Sequence, residues 1–260
     1  MKYFISSDIH SFYTPYIEAL NKAGFDSKNP NHVLVICGDL FDRGNETIKL
    51  YNFIRDLPKE RRVLIRGNHE YLLSNVYDRK YLKEYDWNNG TGRTVCDFYK
   101  ASVEKDKGTF DLTRMSDGIF NTILKECVNW IRYSDEWVNY FEVGKYVCVH
   151  SFIPTINSQY ISQWRDITKE YMWECATWVN PGEEYKKGLF DNEVKNGKVL
   201  VCGHFHASLV ATQVTKRTHT SNKAFTDNRG IIALDTCTAR TNKVNVMVYD
   251  DYDKSVKFVC

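Results

Sequence analysis

The 260-residue chain has no CxxC pair, no apolar run long enough to span a membrane and no surplus of either charge. Without a CxxC pair, and with Cys37, Cys148 and Cys202 inside strand-like apolar runs and Cys260 last, its eight cysteines do not read as a disulfide framework. Buried, reduced thiols in a cytoplasmic protein are the expectation. Without a long apolar run, a spanning helix is excluded. Residues 1–6 lead straight into a polar motif, so no signal peptide is expected and no membrane partner is implied. A formal charge of +2 supplies no basic stripe for tracking a nucleic-acid backbone, although a local basic rim stays open. Internal repeats, low-complexity tracts and linkers are also missing. At 30.4 kDa the chain reads as a single domain over residues 1–260. Such a chain buries roughly 70–75% of its unfolded surface and needs no structural metal for stability.

What is present is concentrated. Five of the seven histidines fall in five blocks: Asp8-Ile-His10, Gly38-Asp39-Leu-Phe-Asp42-Arg43-Gly44, Gly67-Asn68-His69-Glu70, Val149-His150-Ser151 and Gly203-His204-Phe-His206. Each follows an apolar or β-branched run that reads as a strand.

Strands are predicted over residues 2–6, 33–37 and 62–66, and helices over 12–23, 46–56 and from about 69. That alternation implies parallel strands with right-handed crossovers and ligands gathered beyond their carboxyl ends. Residues 71–135 form a helical insert broken at 88–92, with the clearest helix over 117–131. A hairpin is expected from 138–143 and 146–149 around Gly144-Lys145. Residues 151–197 read as a loop-rich cap with short helices. Residues 215–229 are polar, and strands are expected over 198–202, 230–234, 243–249 and 255–259.

The chemistry follows from residue type. Asp8 and His10 are two apart at a strand end, so they share a side and can hold one metal. Asp39 can give one carboxylate oxygen to each of two metals, which an imidazole cannot. Asp42 and Arg43 lie in a turn into a helix, where the helix dipole favours an anion, and the planar fork of Arg43 suits two phosphate oxygens. Asn68 offers a neutral oxygen. His69, its neighbour, points elsewhere and suits proton donation to a leaving group, with Asp42 setting its tautomer. Glu70 reads as a first-turn helix residue, and His150 gains meaning only from its company. Gly203 permits close approach of the backbone beside His204 and His206.

In this order the blocks resemble the calcineurin-like metallophosphoesterase superfamily, and most closely its phosphoprotein-phosphatase branch of compact bacterial and phage enzymes. The strings Gly-Asp-Leu-Phe-Asp-Arg-Gly at 38–44 and Arg66-Gly-Asn-His-Glu70 carry the likeness, with Asn89-Gly90 and Leu234-Asp235-Thr236 as softer support. The resemblance covers residues 1–150 and 199–249. It implies an α/β fold, a two-sheet β-sandwich flanked by helices. It also implies two divalent metal ions, Mn²⁺ first, with Fe or Zn²⁺ as alternatives. Asp8, His10 and Asp39 would hold the first metal, and Asp39, Asn68, His150 and His204 the second. A metal-bridging hydroxide would attack phosphorus in line, His69 would protonate the leaving oxygen and Arg43 would bind phosphate, with Asn68 and His69 also at the substrate. The expected substrate is a phosphomonoester, phosphoserine or phosphothreonine in a protein.

Three departures widen that expectation. His206 stands where protein-phosphatase relatives have a threonine-proline type sequence. It matches the G-H-x-H of diesterase branches, where it adds a ligand to the first metal. Ser11 replaces a common glycine. Trp173-Glu174-Cys175 lacks the phosphate-binding arginine that small relatives carry after a tryptophan, and nearby Arg165 has no motif support. Cyclic nucleotides, 2′,3′-cyclic phosphates and dinucleoside polyphosphates are therefore alternative substrates. A scaffold without catalysis predicts eroded ligands, which this chain does not have, and a nuclease predicts a basic stripe.

Overall fold

Why the motif blocks meet follows from how two sheets are wound. The structure is a computed structural model and describes residues 1–105 and 123–260. Strands and helices alternate first: β1 (Lys2–Ser6), α1 (Tyr13–Ala23), β2 (His32–Cys37), α2 (Thr47–Asp56), β3 (Arg62–Ile65) and α3 (Asn68–Arg79). Gly24, at φ 86°, ends α1 in the left-handed conformation that glycine adopts without cost. The extended Leu57 before Pro58 ends α2. Among the described residues three more helices follow, α4 (Glu84–Asn89), α5 (Thr91–Lys105) and α6 (Ile123–Tyr133). The break between α4 and α5 falls inside the expected interruption. Of the helix predicted over 117–131, the part before residue 123 lies outside the described residues.

The chain continues through β4 (Trp137–Val138), β5 (Phe141–Val143), β6 (Tyr146–Cys148), β7 (Thr155–Ile156) and β8 (Gln159–Tyr160). The short helices α7 (Glu170–Ala176), α8 (Pro181–Lys186) and α9 (Asp191–Lys195) complete residues 151–197. Last come β9 (Val199–Cys202), α10 (Ala207–Thr215), β10 (Phe225–Thr226), β11 (Ile231–Ala233), α11 (Thr238–Thr241), β12 (Val246–Asp250) and β13 (Val256–Val259).

One large sheet has six strands in the order β13-β12-β1-β2-β3-β4, a second has five in the order β10-β11-β9-β6-β5, and β7 and β8 form a separate two-stranded ribbon. The two large sheets face each other as the expected α/β sandwich. Alternation along β2 shows how: Leu34 and Ile36 pack on the helices, while Val33, Val35 and Cys37, beside Met247 of β12, face Cys148 and Val201 of the second sheet. The outer face of the second sheet packs on residues 151–197 and α10 through Val147, Leu200, Trp164 and Trp173.

Two strand expectations needed revision. The strand predicted over 138–143 is two strands in two sheets. Val138 pairs with Ile65 and Phe141 with Cys148, so the chain crosses from one layer to the other between them. The strand expected from residue 243 starts at Val246, because the Asn245 side chain turns in to donate to the Leu234 carbonyl at 2.8 Å. Helix α10 was not foreseen; it buries Ala207, Val210 and Ala211. All eight cysteines are unpaired, five are buried, and Cys175 is exposed rather than buried. No described helix is long and apolar enough to cross a membrane.

Candidate metal centre

Strands β1, β2 and β3 run parallel in one sheet, and β6, β9 and β11 in the other. The residues after their carboxyl ends are Asp8, Asp39, Asn68, His150, His204 and Asp235. These residues are buried, except for the half-buried His204.

Asp39 sits at the middle and divides the cluster. Its Oδ2 lies 3.6 Å from His10 Nε2 and 3.8 Å from His69 Nε2. Its Oδ1 lies 3.4 Å from His150 Nε2. Two donor groups share it, His10–Asp39–His69 and Asp39–His150–His204, each with donor atoms within 4.8 Å of one another. Asn68 Oδ1 joins the second at 2.9 Å from His150 Nε2. Asp8 Oδ1 borders the first at 4.0 Å from His10 Nε2.

The backbone aims these side chains. His10 Nδ1 lies 2.9 Å from the Phe41 carbonyl and His150 Nδ1 2.8 Å from the Cys37 carbonyl. A carbonyl only accepts, so Nδ1 carries the proton in each ring and the Nε2 lone pair faces Asp39. The Glu70 carboxylate accepts from the amides of Gly67 at 2.7 Å, Leu40 at 2.9 Å and Asp39 at 3.0 Å. It ties the Asp39 loop to the start of α3, a role that its reading as a first-turn residue missed. Six of the fifteen described non-glycine residues with positive φ lie in the blocks, Asp8, His10, Asp39, Asp42, Arg43 and His204, and Ser11 adjoins the first. Such conformations cost roughly 1–2 kcal/mol each, and they concentrate at functional sites. A Cβ on Gly203 would land on Ser7 Oγ and Asp8 Oδ2, so only glycine lets the two sheets' loops close.

Beside the donor groups stands a second constellation. His69 Nδ1 meets Asp42 Oδ2 at 2.6 Å. Asp42 also accepts from Thr91 Oγ1 and Thr94 Oγ1, both at 2.6 Å. Both threonines begin α5, so the helical insert holds the Asp42 carboxylate. Neither was singled out from the sequence; the nearest signal was Asn89-Gly90. Arg43 Nη2 lies 3.2 Å from His69 Nε2, and since a guanidinium only donates, Nε2 accepts there.

The electrostatics separate the histidines. Burial lowers His10 well below its usual range and brings His150 and His204 to about 4, so these three are neutral with free lone pairs. Burial opposes charge on His69 too, but Asp39 and Asp42 outweigh it and raise its pKa. Burial, then Asp235 and Asp39, push Asp8 well above the carboxylate range. None of these three acids is ion-paired with a lysine or arginine among the described residues. Uncompensated buried carboxylates beside neutral imidazoles are a donor set that fits divalent cations.

Residues 1–222 match the calcineurin-like phosphoesterase family. The chain belongs to that family. A symmetrical bis(5′-nucleosyl)-tetraphosphatase from Buchnera aphidicola subsp. Schizaphis graminum is 37% identical over 75 residues, 29% of this chain and 26% of that protein. The asymmetrical bis(5′-nucleosyl)-tetraphosphatase PrpE of Oceanobacillus iheyensis is 30% identical over 112 residues, 40% of this chain and 44% of that protein. The matches thus span less than half of these curated relatives. A protein serine/threonine phosphatase structure from Saccharomyces cerevisiae shares the fold, with TM-score 0.59, 15% identity and coverage of 100% of this chain and 79% of that one.

In this calcineurin-like phosphoesterase, His206, like Asp8, lies outside the two tight donor groups; it is the residue before α10, within electrostatic reach of Asp235, whose carboxyl it acts to lower. Asp235 is a buried acid at the site that was not counted as a site residue, although it follows a strand as the other blocks do. Arg165 is committed elsewhere. Its Nη2 bonds Glu193 at 2.8 Å and its Nη1 the same carboxylate at 3.0 Å, and Nε bonds Glu142.

Proposed function

We propose that this chain is a dinuclear metal-dependent phosphoesterase that hydrolyses phosphomonoesters, phosphoserine and phosphothreonine in proteins first. The division of Asp39 between two donor groups carries the reading. Asp8, His10 and Asp39 would hold one cation, and Asp39, Asn68, His150 and His204 the other. When bound, the cations supply an acidified water and neutralise charge on phosphate. Mn²⁺ is the first candidate, and the mixed oxygen and nitrogen donors also suit Fe or Zn²⁺.

The chain's own groups do the rest. Arg43 grips two phosphate oxygens through its fork. Its contact with His69 Nε2 is incompatible with a proton there. A phosphate that draws the guanidinium away frees Nε2 to carry the proton given to the leaving oxygen. Asp42 holds the other edge of the ring and stabilises the imidazolium. Asn68 and His69 also border the phosphate.

A second reading is hydrolysis of a diester or a dinucleoside polyphosphate. Two observations favour it: the curated relatives are named as nucleosyl-tetraphosphatases, and Arg165 is consumed by Glu193 and Glu142, leaving no free arginine there for a protein phosphatase's second phosphate contact. A Mn²⁺ assay with phosphopeptide, bis-p-nitrophenyl phosphate, cyclic nucleotides and diadenosine tetraphosphate decides. Rapid phosphopeptide turnover without diester or tetraphosphate cleavage supports the first reading, and the reverse pattern refutes it.

A further inference from the structure

The outward face of α7 leads away from the metal centre. Tyr171, Cys175 and Trp178 are exposed and spaced four and three residues apart, which places them on one side of the helix and its last turn. The Trp178 ring meets His204 edge-on at 6.1 Å between centroids, so the stripe begins at a candidate ligand. Its far end borders a cleft of about 410 Å³ between α3, α6 and α7.

Tyr71, only 8% exposed, lines the cleft, and its hydroxyl has no hydrogen-bond partner among the described residues. A buried orphan hydroxyl is costly unless something fills the place. Arg66, Glu170 and Glu174 line the same cleft and act electrostatically on that hydroxyl, which places them around it. Arg132 is neutralised by Asp78 through Nη1–Oδ1 at 2.7 Å. Arg66 spends its guanidinium on the Ile131 carbonyl at 3.1 Å. The carboxylates of Glu170 and Glu174 have no hydrogen bond or ion pair among the described residues, so the two open carboxylates outnumber the one uncancelled cation. Glu70 also borders the cleft, but three amides already occupy its carboxylate.

We infer that this cleft is a subsite for a basic side chain, an ammonium or guanidinium carried by the same substrate whose phosphate lies at Arg43. The Tyr71 oxygen would accept one N–H, and Glu170 and Glu174 would supply the opposing charge. From Ala176, the last residue of α7, back to Glu174 is about 3 Å and to Glu170 about 9 Å, at about 1.5 Å per helical residue, with Trp178 two residues further on. An extended peptide covers that in about two to four residues. The apolar stripe between would take the intervening side chain. The inference rests on the phosphoprotein reading for its substrate, but not for the cleft itself.

The test compares phosphopeptides that differ only in arginine, lysine or alanine about three residues from the phosphate, on the intact Mn²⁺-loaded protein. Wild type is set beside the Glu170→Gln, Glu174→Gln double variant and Tyr71→Phe, with p-nitrophenyl phosphate as the small-substrate control. We expect kcat/KM to favour the basic peptides roughly three- to tenfold. The preference should weaken with salt, vanish in the double variant and fall in Tyr71→Phe, with p-nitrophenyl phosphate turnover unchanged. Equal kcat/KM for basic and neutral peptides, or a preference that survives in the double variant, overturns the inference. If no phosphopeptide is turned over, calorimetric binding of the unphosphorylated arginine peptide separates the two failures. Binding that the double variant loses keeps the cleft and sinks the phosphoprotein reading, and no binding to wild type overturns the cleft.

Discussion

The floor of the metal centre and the cap over residues 151–197 are held by different means. On the floor, side chains are aimed by backbone: left-handed residues, a glycine without room for a Cβ, carbonyls that set imidazole tautomers, and three amides on Glu70. In the cap, apolar packing through Trp164 and Trp173 is fixed in place by side-chain charge. Buried Glu193 accepts from Arg165, from Trp164 Nε1 at 3.0 Å and from Tyr160 Oη at 2.8 Å, while Lys198 and Arg165 both reach Glu142. Backbone placement tolerates little displacement and suits ligands that must meet within tenths of an ångström. Charge placement allows a covering segment to be rebuilt without disturbing the chemistry beneath it.

Five substitutions would break or sharpen that contrast. Asp39→Asn should lose most metal from both groups and lower kcat/KM by at least about 10³-fold, several kcal/mol of transition-state stabilisation. Retention of both metals after desalting, read by elemental analysis, would show that the division at Asp39 is not structural. His69→Asn should keep its metals and lower turnover by roughly 10²–10⁴-fold, with partial rescue on p-nitrophenyl phosphate. Loss of one metal would instead make His69 a ligand, as its place in the first donor group allows. Glu70→Gln should weaken metal affinity roughly 10–100-fold by calorimetry, because it holds the Asp39 loop from behind. His206→Ala should change kcat/KM less than about tenfold. A larger loss, with metal released selectively from the first group, would move the chain toward diesterases.

Glu193→Gln should leave p-nitrophenyl phosphate turnover intact and lower Tm by about 4–8 °C, on about 2 kcal/mol for hydrogen bonds to a charged group. Its hydrogen bonds to Arg165 first, then those to Trp164 and Tyr160, overcome burial and hold the carboxyl at about 2. The ordinary unfolded value is about 4.3. A depressed carboxylate stabilises above its unfolded pKa, and that contribution disappears as pH falls from about 4 toward 2. Thermal melts across that window should show a steeper slope in wild type than in the variant, because other depressed carboxylates such as Asp78, Glu136 and Asp227 titrate in both.

The same contrast governs what was legible in the sequence. Asp8, His10, Asp39, Asn68, His150 and His204 each stand just past a strand, so a period-two pattern ending in a polar residue locates them without tertiary knowledge. Asp235 gave the same signal after β11 but has no second ligand beside it. Thr91 and Thr94 were not legible, because their partner Asp42 is far along the chain and a threonine at a helix start reads as a cap. The strand split at Asn139-Tyr140 escaped because alternation shows which face is buried, not which sheet it belongs to. The cap stayed opaque for a related reason: Glu142 and Glu193 carry no local sign that Arg165 will lie between them.

The strand ends at the metal centre come from two separate sheets, with Asp8, Asp39 and Asn68 on one and His150 and His204 on the other. Cations held between them would act as rivets across the sandwich. Each would bind the closed arrangement and not the separated layers, so thermal stability should rise with the logarithm of free metal. Chelation would then loosen the joint between the sheets as well as stop the chemistry.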